Sequence, residues 1–254
     1  MSTALAPVRI LNIDLDNLSM AELLQRLGSG GFVVTPNVDH LMKLQADRDF
    51  YHIYQTADYR ICDSQVVLYA SKFLGTPLKE RLSGSDLLPA FYRYYHNDDT
   101  MTLFLLGAAP GVADRARENI NAKVGRNMVV AAHSPSFGFE NNEAEGDRII
   151  DLINQSQATV LAVGVGAPKQ EKWIHKHRHR LPHVKIFLAI GATIDFEAGA
   201  VSRAPRWMSN WGIEWLYRIS QQPQRLWRRY FIEDFPFLWL LLQQRLGLYR
   251  NPLD

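Results

Sequence analysis

Four polar side chains fall where strand-like runs of the first third of the chain give way to loops. Thr35 and Asn37 follow Gly31-Phe32-Val33-Val34, Asp63 follows Tyr59-Arg60-Ile61-Cys62, and Arg81 lies in the loop beyond the next helix. In a parallel sheet the C-terminal strand ends collect along one edge, so these groups can face one crevice. Asp63 is the candidate base. A carboxylate at a partly buried strand end can hold a raised pKa and accept a proton from a hydroxyl. The same residue suits the N-cap of the helix that follows, and the local sequence by itself favours the cap. Asn37 carries the same alternative, and Arg81 that of an ordinary surface ion pair.

A second set of candidates is glycine-rich. The apolar runs Thr159 to Gly164 and Val184 to Gly191 each end in glycine and then turn polar, as Gly164-Val165-Gly166-Ala167-Pro168-Lys169-Gln170-Glu171 and Gly191-Ala192-Thr193-Ile194-Asp195-Phe196-Glu197. A helix opening near Pro168 would point backbone N–H groups at an anion. The alternative is that these glycines only make tight strand-to-helix turns. Lys169 stands where a dinucleotide fingerprint needs its third glycine, and no Gly-Lys-Ser/Thr loop or Gly-x-Ser-x-Gly elbow occurs. No nucleotide cofactor and no serine hydrolase are therefore expected. His175 and His179 share a helix face, but no neighbouring carboxylate or cysteine completes a metal site, so a solvated basic face is expected and no metal. Asp14-Leu15-Asp16 reads as a strand end.

The elements that must position these residues alternate in type. Strands are expected at Arg9 to Leu15 (an edge strand), Gly31 to Thr35, Tyr59 to Cys62, Met101 to Leu106 and Met128 to Ala132, besides the two glycine-ended runs. Helices are expected between them, among them one long helix from Val38 to Ala57 behind the Asn37 cap. Such alternation specifies an α/β fold: a Rossmann-like, mostly parallel sheet flanked by helices. With 254 residues the chain can bury a large core, and its one cysteine, Cys62, excludes an internal disulfide. The formal charge of +2 says little about partners. No export-signal pattern and no apolar run of spanning length is read.

Composition changes near Arg203. From there on the chain has eight arginines, no lysine and four acidic residues, interleaved with Trp207, Trp211, Trp215, Trp227 and Trp239. This predicts a division into residues 1–202, the α/β domain, and 203–254, a helical, arginine-rich C-terminal appendage. Its apolar positions either pack on a core or lie in a membrane interface.

Several blocks in order resemble one family, the WecG/TagA/CpsF glycosyltransferases. They are Thr35-Pro36-Asn37-Val38-Asp39, Cys62-Asp63-Ser64, Arg81 to Asp86, Gly166 to Trp173, Gly191 to Phe196, Ala198-Gly199, Arg203 to Trp207 and Gly212 to Arg218. The resemblance implies an inverting transfer of a hexose from a UDP-sugar to a polyprenyl-diphosphate-linked sugar in cell-surface polysaccharide biosynthesis. The hexose is of the N-acetylmannosamine, glucose or galactose type. It implies Asp63 as the general base and Thr35, Asn37, Arg81 and Gln170 as pocket residues. Arg218, Arg225 and Arg228 match the appendage that closes over the site and meets the membrane. The implied partners are the two substrates and the inner face of the cytoplasmic membrane, with the protein peripherally attached. Nucleic acid is not among them, no cofactor or metal is required, and homo-oligomerisation stays open. One departure stands out: Ser64-Gln65 follows the aspartate where the family usually has glycine. The alternative function is a non-catalytic binder of nucleotide sugar or lipid diphosphate.

Overall fold

The structure is a computed structural model that describes residues 6–221 and 223–254. The side chains of Arg206, Ser209, Asn210, Arg218, Gln221, Arg225, Leu226 and Arg229 lie outside that description. The chain forms two compact units. Unit 1 comprises the N-terminal segment up to Ser19, Thr35–Ser83 and Arg203–Asp254; unit 2 comprises Met20–Val34 and Gly84–Ser202.

In chain order the first elements are β1 (Val8–Ile10), β2 (Ile13–Leu15), α1 (Met20–Leu27), β3 (Gly31–Val34), α2 (Val38–Lys43), α3 (Arg48–Thr56) and β4 (Tyr59–Arg60). Next come α4 (Gln65–Phe73), α5 (Gly84–Tyr94), β5 (Leu103–Gly107), α6 (Val112–Val124), β6 (Val129–His133) and α7 (Glu143–Ser156). Then follow β7 (Val160–Gly164), α8 (Lys169–His177), β8 (Ile186–Ala189) and α9 (Thr193–Glu197). The C-terminal helices are α10 (Arg206–Trp211), α11 (Glu214–Gln221), α12 (Pro223–Arg228) and α13 (Pro236–Arg245), with a π-helical turn at Arg229–Glu233. The fold is α/β, as expected: a parallel sheet flanked by helices.

Unit 2 carries strands in the order β3-β8-β7-β5-β6, and every pair among them is parallel. β5, β7 and β8 are buried along their whole length, which is why their sequences are unbroken apolar runs. The order reverses between β5 and β7: β5 leads outward to β6, and the chain then returns to lay β7 on the other side of β5. Gly107 and Gly164 are paired at that reversal. Three helices are tied together at Glu197 of α9. Its Oε2 takes Lys123 Nζ of α6 at 2.6 Å and the hydroxyl of Tyr92 of α5 at 3.3 Å, while its backbone carbonyl accepts from Asn119 at 2.9 Å.

Unit 1 departs from the sequence expectation twice. Arg9 to Leu15 is a tight antiparallel hairpin, not one strand, because the chain reverses at Leu11 in the left-handed region (φ 51°). Tertiary bonds hold that turn: Leu11 N donates to Gln244 Oε1 at 2.8 Å, and Asn12 Nδ2 to Leu44 O at 2.7 Å. The expected helix from Val38 to Ala57 is two helices. Asp47 caps the second, its carboxylate accepting from Phe50 N at 2.9 Å. A cluster of His40, Phe50 and Tyr54 fills the bend, with His40 Nδ1 2.6 Å from the Tyr54 hydroxyl.

The C-terminal end is built into unit 1. Gln244 also donates to Arg9 O at 3.0 Å, and the Tyr249 hydroxyl bonds Gln45 Oε1 at 2.6 Å. Phe237 and Leu241 of α13 are 1% and 7% exposed, whereas Leu238 and Trp239 on its other side are 58% and 61% exposed. One face of α13 thus packs into the core of unit 1, and Leu238 and Trp239 on its other side are exposed. Among the described residues no helix is long and apolar enough to cross a membrane.

Candidate active site

Three loops of unit 1 run side by side. Asp63 N donates to Pro36 O at 3.0 Å, and Leu82 N donates to Cys62 O at 2.7 Å. These backbone bonds bring segments 35–37, 62–64 and 81–83 into one tract, and with them Thr35, Asn37, Asp63 and Arg81. Thr35 is buried; the other three are half-buried. The Cys62 thiol, buried in the middle strip, is pushed up to about 12 by burial. A hydrogen bond to Ser64 O opposes the rise, the Asp63 charge adds to it, and the Arg81 charge opposes it.

The capping alternatives resolve differently at the two candidates. Asn37 is the N-cap of α2, its Oδ1 accepting from His40 N at 3.1 Å. Asp63 is not a cap. α4 begins at Gln65 and its N-cap is Ser64, whose hydroxyl accepts from Val67 N at 3.4 Å. The helix starts one residue too late for Asp63 to serve it. Arg81 Nη1 lies 3.9 Å from Oε2 of Glu214, the first residue of α11. Gly212, in the turn before α11, sits over α4: a Cβ there would lie 3.4 Å from Gln65 Cγ and 3.6 Å from Tyr69 Cε2. The residue pair that replaces glycine thus has structural tasks, Ser64 as the cap and Gln65 as the floor under the α10–α11 turn.

One family model, the Glycosyl transferase WecG/TagA/CpsF family, matches residues 8–251. The chain belongs to the WecG/TagA/CpsF glycosyltransferase family. Curated relatives include a Bacillus spizizenii protein, 28% identical over 200 residues (79% of this chain, 74% of the relative). A Staphylococcus aureus MRSA252 protein is 27% identical over 240 residues, 91% of each chain. Both are named N-acetylglucosaminyldiphosphoundecaprenol N-acetyl-beta-D-mannosaminyltransferase.

Of the other site residues expected from the sequence, Gln170 belongs to unit 2, in the first turn of α8, and is almost completely buried. The side chains of Arg218 and Arg225 lie outside the described residues. Arg228 is exposed, with Glu233 Oε1 3.9 Å from its Nε. In this WecG/TagA/CpsF chain the glycines that end β5 and β7 are dictated by packing. A Cβ on Gly107 would lie 2.5 Å from Gly164 O, and one on Gly164 would lie 2.6 Å from Gly191 O. Only bare backbone fits at Gly107 and Gly164, whereas a Cβ on Gly191 would meet nothing within 4 Å.

Among the described residues no group of three or more His, Cys, Asp or Glu is arranged to hold a metal ion. Asp14 is paired with Arg9 at 3.2 Å, and Asp16 accepts from Arg60 N at 2.7 Å. Asp47 and Asp49 repeat the Asp-x-Asp spacing, but Asp47 is the cap of α3. His177 is packed on Trp173, with ring centroids 4.9 Å apart, and is held down to about 4 by burial and by the charges of Lys176, Arg180 and His179. The residue that sequence reasoning did not single out for the site is Glu214. Its signal was its place in the Gly212 to Arg218 block, four residues before Arg218.

Proposed function

We propose that the protein is an inverting glycosyltransferase that moves an N-acetylmannosamine-type hexose from a UDP-sugar to a polyprenyl-diphosphate-linked N-acetylglucosamine. The observation that supports the reading is the hydrogen bonding of segments 35–37, 62–64 and 81–83 into one tract, which brings the loops that hold Thr35, Asn37, Asp63 and Arg81 together. Family membership and the names of the two relatives supply the substrate classes.

Asp63 acts as general base. It takes the proton from the acceptor hydroxyl as that oxygen attacks the anomeric carbon, and the bond from that carbon to the diphosphate oxygen breaks with inversion. The transition state is oxocarbenium-like and the leaving group is UDP. The negative charge that develops on the diphosphate needs fixed positive groups. Arg81 supplies one, and Arg218, Arg225 and Arg228 supply others from the C-terminal helices. Thr35 and the Nδ2 end of Asn37, whose Oδ1 is occupied by the cap, hold the sugar. The engagement of Asp14 and Asp16 by arginines supports a route that needs no divalent metal.

Residues 203–254 form the membrane-associating appendage of the 1–202 catalytic region. The bare apolar side chains Phe235, Leu238, Trp239, Leu242 and Leu246, with Arg245 and Arg250 close by in sequence, suit the interface of an anionic bilayer. The enzyme then works at the cytoplasmic face, where a lipid-linked acceptor is presented.

The test is UDP release by the purified protein with a synthetic prenyl-diphosphate-GlcNAc acceptor and a panel of UDP-sugars, with and without EDTA. Acceptor-dependent release with UDP-N-acetylmannosamine, unchanged by EDTA, is the expected result. UDP binding without release from any sugar would replace this reading by that of a binding protein.

A further inference from the structure

The family pattern places Gln170 among the pocket residues, yet its polar atoms are already engaged. Oε1 accepts two backbone hydrogen bonds, from Gly166 N at 3.3 Å and from Gly191 N at 3.1 Å. Nε2 donates to Glu171 Oε1 at 2.8 Å. Gln170 is 1% exposed and Glu171 is fully buried. The bond to Gly166 is reciprocal, because Gln170 N donates to Gly166 O at 3.0 Å. Gly166 and Gly191 both have positive φ, 85° and 56°, in the loops that leave β7 and β8. Both glycines are half-buried, and the Gln170 oxygen is the partner of both amides.

We propose that Gln170 is a positioning residue: one amide oxygen staples the β7–α8 loop to the β8–α9 loop, and Glu171 fixes which end of the amide faces the glycines. A buried carboxamide can flip, and only the orientation with oxygen towards the two N–H groups satisfies them. Glu171 selects that orientation by accepting from Nε2. The staple matters because these loops sit at the C-terminal edge of the unit 2 sheet, the edge that carries ligands in parallel α/β sheets. Loss of activity on substitution at Gln170 is then a loss of loop geometry, not of a substrate contact. This deepens the transferase reading and rests on it for its activity arm; its structural arm does not.

The experiment compares the full-length wild type with Gln170→Ala, Gln170→Glu and the double variant Gln170→Glu/Glu171→Gln. Amide hydrogen exchange at Gly166 and Gly191 and the kcat and KM of sugar transfer are read in each. In Gln170→Ala the two glycine amides exchange at least about tenfold faster while the β7 and β8 amides stay protected. Gln170→Glu sets two buried carboxyl groups against each other and lowers kcat about tenfold or more. The double variant exchanges donor and acceptor within the pair, keeps both glycine bonds, and recovers protection and most of kcat. Unchanged exchange in Gln170→Ala overturns the proposal. So does a double variant that protects both glycines yet stays as inactive as the single one, since Gln170 would then contact the substrate. If Gln170→Ala does not fold, the double variant decides by whether Gly166 and Gly191 are protected. A wild type without transferase activity removes the transferase reading and leaves the exchange result to decide the staple.

Discussion

Glu214 Oε2 stands 3.9 Å from Arg81 Nη1, so the arginine assigned to the diphosphate already faces a carboxylate from the first turn of α11. Both side chains are partly exposed, and such a pair contributes roughly 0.2–1 kcal/mol. A diphosphate arriving at Arg81 must compete with that carboxylate. Glu214→Gln is expected to tighten UDP binding about two- to fivefold at low salt, with the gain shrinking as salt is raised. Titration calorimetry at two ionic strengths checks this. Weaker binding in the variant would show that Glu214 orients Arg81 productively and does not compete with the ligand.

Asp63→Asn preserves shape and removes the base. Transfer is expected to fall by roughly 10²–10⁴-fold while UDP affinity stays within a factor of two or so. Steady-state kinetics and a binding isotherm together check it. A near-normal rate in the variant sinks the assignment.

The two faces of α13 are separable. Leu241→Ala should cost about 2–5 kcal/mol in stability, because it opens a cavity beneath the helix. Trp239→Ser, on the exposed face, should leave stability within about 0.5 kcal/mol. It should also weaken sedimentation with vesicles containing anionic lipid. Chemical denaturation and vesicle co-sedimentation report the two effects. Equal vesicle binding by Trp239→Ser and wild type would count against the membrane role of this face.

His177 makes stability depend on pH. Its folded-state value is about 4 against 6.5 for the free side chain, with burial the main cause. Between those values the unfolded chain takes up a proton that the folded chain refuses. The histidine's contribution is therefore complete above pH 6.5 and is lost as pH falls towards 4. The neighbours acting on it are Lys176, Arg180, His179 and, in the opposite sense, Asp147. Melting temperature should fall between pH 7 and pH 4.5 more steeply in the wild type than in His177→Gln. Parallel curves would refute the assignment.

Ser64 tests the departure from the family's glycine. Ser64→Ala removes the α4 cap and should cost about 0.5–2 kcal/mol, towards the low end given the 3.4 Å bond, while Ser64→Gly should cost only a few tenths. Thermal unfolding of the two variants gives the comparison.

The sequence by itself determined the fold class and the family. Short β-branched apolar runs bounded by glycine, such as Val160 to Val163, read as strands covered on both faces, and alternation with helical segments points to a parallel sheet. The polar residues at the loop starts were also legible, since Thr35, Asn37, Asp63 and Arg81 follow local patterns. What those side chains do was decided by tertiary structure. Whether Asp63 or Ser64 caps α4 depends on a one-residue choice of helix start, and the folded chain places Ser64 there. The hairpin at Leu11 depends on Gln244, which lies 233 residues away, so no local window carries that signal. Resemblance places Gln170 in the pocket, but its bond to Gly191, 21 residues on, exists only once the chain has folded. Propensity and periodicity act over neighbouring residues, whereas these roles are set by partners that meet only once the chain has folded.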